Sequence, residues 1–103
     1  MSPDRKTDTL SLDWSRDPRI QVRPGLLFCE IGDEAVLLDT SGGIYFGLNE
    51  VGCRLWQLLQ REPHLVKIFD ALLREYDVAP GQLRCDLEKV VLDLEEHGLV
   101  EIR

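Results

Sequence analysis

The chain has 103 residues, 19 acidic against 12 basic, a formal charge of −7 and ordinary hydrophobic (44%) and charged (30%) fractions. Such a length holds one domain with a modest core, and the negative charge disfavours nucleic acid and anionic membrane as partners. Apolar runs such as Ala35–Leu38 are too short to span a bilayer, and residues 1–16 hold no apolar signal-peptide region. Three widely spaced cysteines, Cys29, Cys53 and Cys85, argue against a disulfide framework and for a reducing, cytoplasmic setting.

The first eighteen residues form a polar extension in which Leu10, Leu12 and Trp14 alternate. Two readings fit: a mobile tail, or a short strand docking on this chain or on a second copy. From residue 19 onward the signals are those of a folded domain, 19–103. Ile20 and Val22 alternate, and Pro24-Gly25 punctuates. Leu26–Ile31 and Ala35–Leu38 are apolar runs flanking Gly32-Asp33, which suits a type II′ hairpin turn. After the turn Thr40–Gly43, Ile44, Phe46 and Leu48 share one face of a strand, with Tyr45 and Gly47 on the other. The expectation is a three-stranded antiparallel meander whose last strand, 44–48, is an edge.

After Leu48 the apolar period lengthens from 2 to 3.6. Asn49 caps a first helix carrying Val51, Leu55, Leu58 and Leu59, with Trp56 beside them. Gly52, one turn in, is read as a place where another backbone approaches closely. Leu65, Ile68, Phe69, Leu72, Leu73 and Tyr76 stripe a second helix. Pro80 opens a third, with Leu83, Leu87, Val90 and Leu94 as its core stripe and Val91 on the flank, ending at His97-Gly98. Leu99–Ile102 closes the chain as a short strand. The fold class is therefore α+β: a meander followed by three helices, the last two a helix-turn-helix, in a winged-helix-like arrangement.

The stretches Asp33–Asp39 (DEAVLLD) and Gly43–Asn49 (GIYFGLN), then Gly52 and Trp56–Leu59, resemble the PqqD family. The resemblance continues through Leu72, Tyr76-Asp77, Asp86-Leu87, Val90-Val91, Leu94 and Gly98–Val100, and covers roughly residues 19–102. Its members include the PqqD protein of pyrroloquinoline quinone (PQQ) biosynthesis and the recognition elements of ribosomally made, modified peptides (RiPPs). The resemblance implies a non-catalytic peptide chaperone that binds the leader of a precursor peptide. It presents that peptide to a modifying enzyme, such as a radical S-adenosylmethionine protein. In the family the leader adds as a strand beside the third meander strand and packs on the third helix. Two departures stand out: the polar extension lies outside the family core, and Pro63-His64 replaces the Thr or Ser cap usual before the second helix.

An edge strand exposes unpaired N–H and C=O groups that an extended peptide satisfies by β-augmentation. The candidate peptide-binding set is Gly43, Ile44, Tyr45, Phe46, Gly47 and Leu48, with Arg84, Leu87, Glu88 and Val91 of the third helix. Each has a plainer reading as turn, core or solvated surface, and the sequence leaves open which flank of that helix faces the strand. DNA binding by the helix-turn-helix fits poorly, because Gln82–His97 holds five carboxylates against two cations. Catalysis fits poorly too: no Cys/His metal spacing and no phosphate-binding glycine loop is present, and His64 and His97 sit at helix ends. No cofactor or metal is expected. A dimerisation module built on the edge strand or the Leu10/Leu12/Trp14 arm is the remaining alternative.

Overall fold

In the computed structural model, which describes residues 12–103, two small sheets flank three helices. Strand β1 (Ile20–Val22) pairs antiparallel with β5 (Val100–Ile102), and β2 (Leu26–Ile31), β3 (Glu34–Asp39) and β4 (Ile44–Leu48) form a meander in that spatial order. The helices are α1 (Glu50–Leu59), α2 (Leu65–Glu75) and α3 (Pro80–Glu96). No helix among the described residues is long and apolar enough to cross a membrane.

The β2–β3 turn follows from its two residues. Gly32 has φ +65°, whereas Asp33 stays out of the positive-φ region, the combination a type II′ turn requires. Ile31 then faces Glu34, and the register runs on to Leu26 opposite Asp39. Asp39 organises the next turn. Its carboxylate accepts from the Ser41 N–H (3.1 Å), the Ser41 hydroxyl (2.9 Å) and the Gly42 N–H (3.2 Å). Arg23 adds an ion pair at 2.6 Å, tying the β1–β2 connection to the same point. Arg23, followed by the Ser41 hydroxyl, holds the Asp39 carboxyl down from 3.8 to about 2. A depressed carboxyl stabilises the fold once ionised, so this contribution is complete above 3.8 and disappears as the pH falls towards 2. Asp39→Asn is expected to lower the melting temperature at pH 7. It should also flatten its dependence on pH between 7 and 2, measured by circular dichroism; an unchanged profile would remove Asp39 from this role.

Helix ends follow local chemistry. Asn49 accepts the Gly52 N–H at 2.9 Å, closing the first turn of α1. Gly52 does not serve a close backbone approach as expected. A Cβ there would stand 3.2 Å from the Leu48 side chain and 3.3 Å from Asn49 Oδ1, so what needs the space is the cap itself. Before α2, His64 provides no side-chain cap; the Glu62 carboxylate accepts the His64 N–H at 3.0 Å instead. At the end of α3 the Leu99 N–H reaches the Leu94 carbonyl and the Gly98 N–H that of Glu95, both at 2.9 Å, with Gly98 at φ +74°. This is a Schellman closure, and it turns the chain into β5.

The core lies between the inner face of the meander and the helices. Ala35, Leu37 and Leu48 meet Leu55, Trp56, Leu65, Ile68 and Leu72 there, and α3 contributes Leu83, Leu87, Val91 and Leu94. The last three are 0% exposed. The sequence expectation for α3 is therefore corrected at one step: Val91 is core and Val90 the half-buried flank residue. The stripe drifts around the helix because 3.6 residues per turn does not divide evenly into a spacing of four.

Leu12 and Trp14 pack against this body, with Trp14–Arg16 forming a single 3-10 turn; Leu10 lies outside the described residues. Leu12 to Ser15 is not a strand here. Asp13 caps the turn by accepting from the Ser15 N–H and hydroxyl, which favours local curvature over extension.

Candidate functional site

Among the described residues, β4 has a hydrogen-bonded neighbour on one side only, β3. Beyond its free edge runs a cleft of about 250 Å³ lined by Phe46, Gly47, Leu48 and Asn49 on one side and Lys89, Val90 and Asp93 of α3 on the other. Three of the strand residues expected from the sequence, Phe46, Gly47 and Leu48, line this cleft. Gly43 is the last turn residue (φ +70°), and Ile44 pairs with Asp39 through the backbone. Tyr45 points away from the core and is 70% exposed. Phe46 is half-buried and meets the His97 ring edge-on, centroids 5.0 Å apart. A Cβ on Gly47 would meet nothing within 4 Å, so that position leaves open space along the edge. Leu48 is buried beneath the groove floor.

The helix half differs from the expected residues. Leu87 and Val91 are wholly buried, so their side chains pack the domain and do not face the groove. Arg84 and Glu88 lie on the opposite flank of α3, where Trp14 occupies them. The Trp14 indole N–H donates to Glu88 Oε2 at 2.6 Å, and the Arg84 guanidinium lies 5.2 Å from the ring centroid. Phe69 of α2 completes that cluster at 5.5 Å from Trp14. The strand-facing flank is Lys89, Val90 and Asp93, continued by His97. A helical wheel finds both flanks but cannot choose between them. The unused signal was Trp14, an aromatic that covers one flank and so assigns the other to β4.

Electrostatically the groove is mixed. Lys89 and Asp93 stand on successive turns, both exposed, so an extended peptide meets one cation, one anion and the apolar strip between them. The Asp93 carbonyl can only accept, so the His97 Nδ1 at 2.8 Å from it carries a proton. No group of three or more His, Cys, Asp or Glu among the described residues is placed to hold a metal.

All three cysteines are free. Cys53 is buried, and burial together with the nearby Glu30 carboxylate raises its thiol pKa; Cys29 and Cys85 are exposed. Iodoacetamide at pH 8 is expected to modify Cys29 and Cys85 while sparing Cys53 in the folded protein, as read by peptide mass spectrometry. Early modification of Cys53 would contradict this packing.

The sequence profile of the family described as Coenzyme PQQ synthesis protein D (PqqD) matches residues 34–100, from the start of β3 to the start of β5. Among solved structures, "TbiB1 in Complex with the TbiA(beta) Leader Peptide" is 34% identical at a TM-score of 0.70, over 79% of this chain and 94% of that one. "Lasso peptide synthetase B1 complexed with the leader peptide" is 25% identical at a TM-score of 0.69, over 81% of this chain and 98% of that one. A comparison with curated proteins finds no match. With its meander, its three helices and a family match over more than half its length, this chain belongs to the PqqD family.

Proposed function

We propose that this protein binds the leader segment of a ribosomally made precursor peptide as a fourth strand on β4, seated against α3. It acts without catalysing a reaction itself and presents the peptide to the enzyme that modifies it. The observation that carries the reading is the β4 edge, unpaired among the described residues, lying beside a cleft with apolar and charged walls. Backbone pairing along such an edge gives affinity for almost any extended peptide, and the pockets beside it select side chains. Both solved relatives are complexes with leader peptides, one of them named a lasso peptide synthetase. That favours an enzyme of lasso-peptide maturation as the recipient, with a radical S-adenosylmethionine enzyme of PQQ-type synthesis as the second choice. The free cysteines suit a reducing, cytoplasmic setting. The acidic surface of α3 supports a peptide over a phosphate partner.

The test is a titration of isotope-labelled protein with the leader of the precursor peptide encoded beside it. Amide shifts are expected in residues 43–48 and 89–93. Unmoved resonances in both segments at large peptide excess would overturn the proposal.

A further inference from the structure

The sheet has a second face, and it is not polar. Leu27, Cys29 and Ile31 of β2, Val36 and Leu38 of β3 and Tyr45 of β4 point away from the core, as the strand alternation and registers require. Leu27 is 52%, Ile31 67% and Tyr45 70% exposed; only Val78 joins them among exposed large hydrophobics of the described residues. Antiparallel sheets with one face in water normally alternate apolar and polar residues. Here β2 and β3 are written as near-continuous apolar runs, the pattern of strands covered on both faces, while the helices cover only one.

The panel's size and charge indicate its occupant. Three strands about 4.8 Å apart and about six residues long, at about 3.4 Å per residue, give roughly 300 Å². A self-sufficient interface needs about 800 Å² from each partner, so the panel alone holds any occupant weakly and needs added surface. A second copy would also bring another chain of charge −7 against this one, with Glu34 on the panel itself and Asp33 at its rim. The panel is continuous with β4, so a leader strand added there widens it by one strand. We infer that this outward face docks the modifying enzyme, through an apolar patch on that enzyme ringed by Lys and Arg, and does so more tightly when the leader is bound. The inference takes its partner, the modifying enzyme, from the proposed function and rests on leader binding for this enhancement.

The probe is the purified enzyme encoded beside this chain and its precursor peptide. Its binding to the full chain, with and without leader, is measured by surface plasmon resonance, and leader binding separately by fluorescence anisotropy. Leu27→Asp and Ile31→Asp are expected to leave leader affinity within twofold and to weaken enzyme binding at least tenfold. Glu34→Lys alters charge alone, guarding against misfolding, and should weaken enzyme binding severalfold, more at low salt. Enzyme binding unchanged by all three variants would overturn the inference, as would a wild-type dimer that Leu27→Asp separates into monomers. If the wild-type chain bound no leader, the proposed function would fall. Enzyme binding to the free chain that Leu27→Asp abolished would still support the docking face.

Discussion

Val90→Asp is expected to weaken leader binding by at least tenfold while leaving the protein folded. Val90 is half-buried on the groove side of α3, so a seated peptide would cover the rest of its side chain. Burying a whole valine side chain contributes about 1.5–3 kcal/mol, so covering the remaining half contributes about 0.8–1.5 kcal/mol, where about 1.4 kcal/mol is a factor of ten in affinity. The substitution also aims a carboxylate into a cleft that already holds Asp93, which adds repulsion towards any acidic leader residue. Arg84→Ala, on the flank that Trp14 covers, is the matched control and should hold leader affinity within about twofold. Fluorescence anisotropy with labelled leader decides between the flanks. The reverse ranking, with Arg84 dominant, would mean that the peptide displaces Trp14 and binds on the other side of the helix.

Leu87→Ala carries the largest expected effect on stability. Leu87 is 0% exposed and sits in the cluster where α3 meets the other helices and the meander. Truncating such a leucine costs about 2–5 kcal/mol, because the transfer energy and the cavity both count. The whole stability of a domain is about 5–15 kcal/mol. The melting temperature should therefore fall by at least about 8 °C at about 4 °C or more per kcal/mol for a domain of this size. Thermal and urea unfolding followed by circular dichroism read this directly. A loss below about 1 kcal/mol would mean that the surrounding side chains collapse into the gap.

The strand that lines the candidate groove was legible because its signals are local. Gly32, Gly43 and Asn49 mark the turns and the cap, and period-2 alternation separates Phe46 and Leu48 from Tyr45 and Gly47. The helix half was not, because choosing a flank of α3 depends on contacts far apart in sequence. Trp14 meets Glu88 across 74 residues, and periodicity carries no information at that range. The exchange of Val90 and Val91 has a smaller origin: the two are adjacent, and the exact axial rotation of α3 decides which is core. The apolar outward face was present in the sequence as unbroken runs, yet only the observed register shows which of those residues stay uncovered.

The pairing of β1 with β5 places Ile20 opposite Ile102, and Arg19 exchanges backbone hydrogen bonds with Arg103 at 2.9 and 2.8 Å. The domain is thus closed at a single clasp, and the meander, the groove and the outward sheet are formed by the chain between its two halves. A module held in this way enters and leaves through one doorway. It can be spliced into a surface loop of a larger enzyme, or joined to it at either side of the clasp, with little rearrangement of what lies between. The same clasp makes the outermost strands interdependent. Removing residues 100–102 would leave β1 without its partner and loosen the support beneath α3, away from the β4 groove.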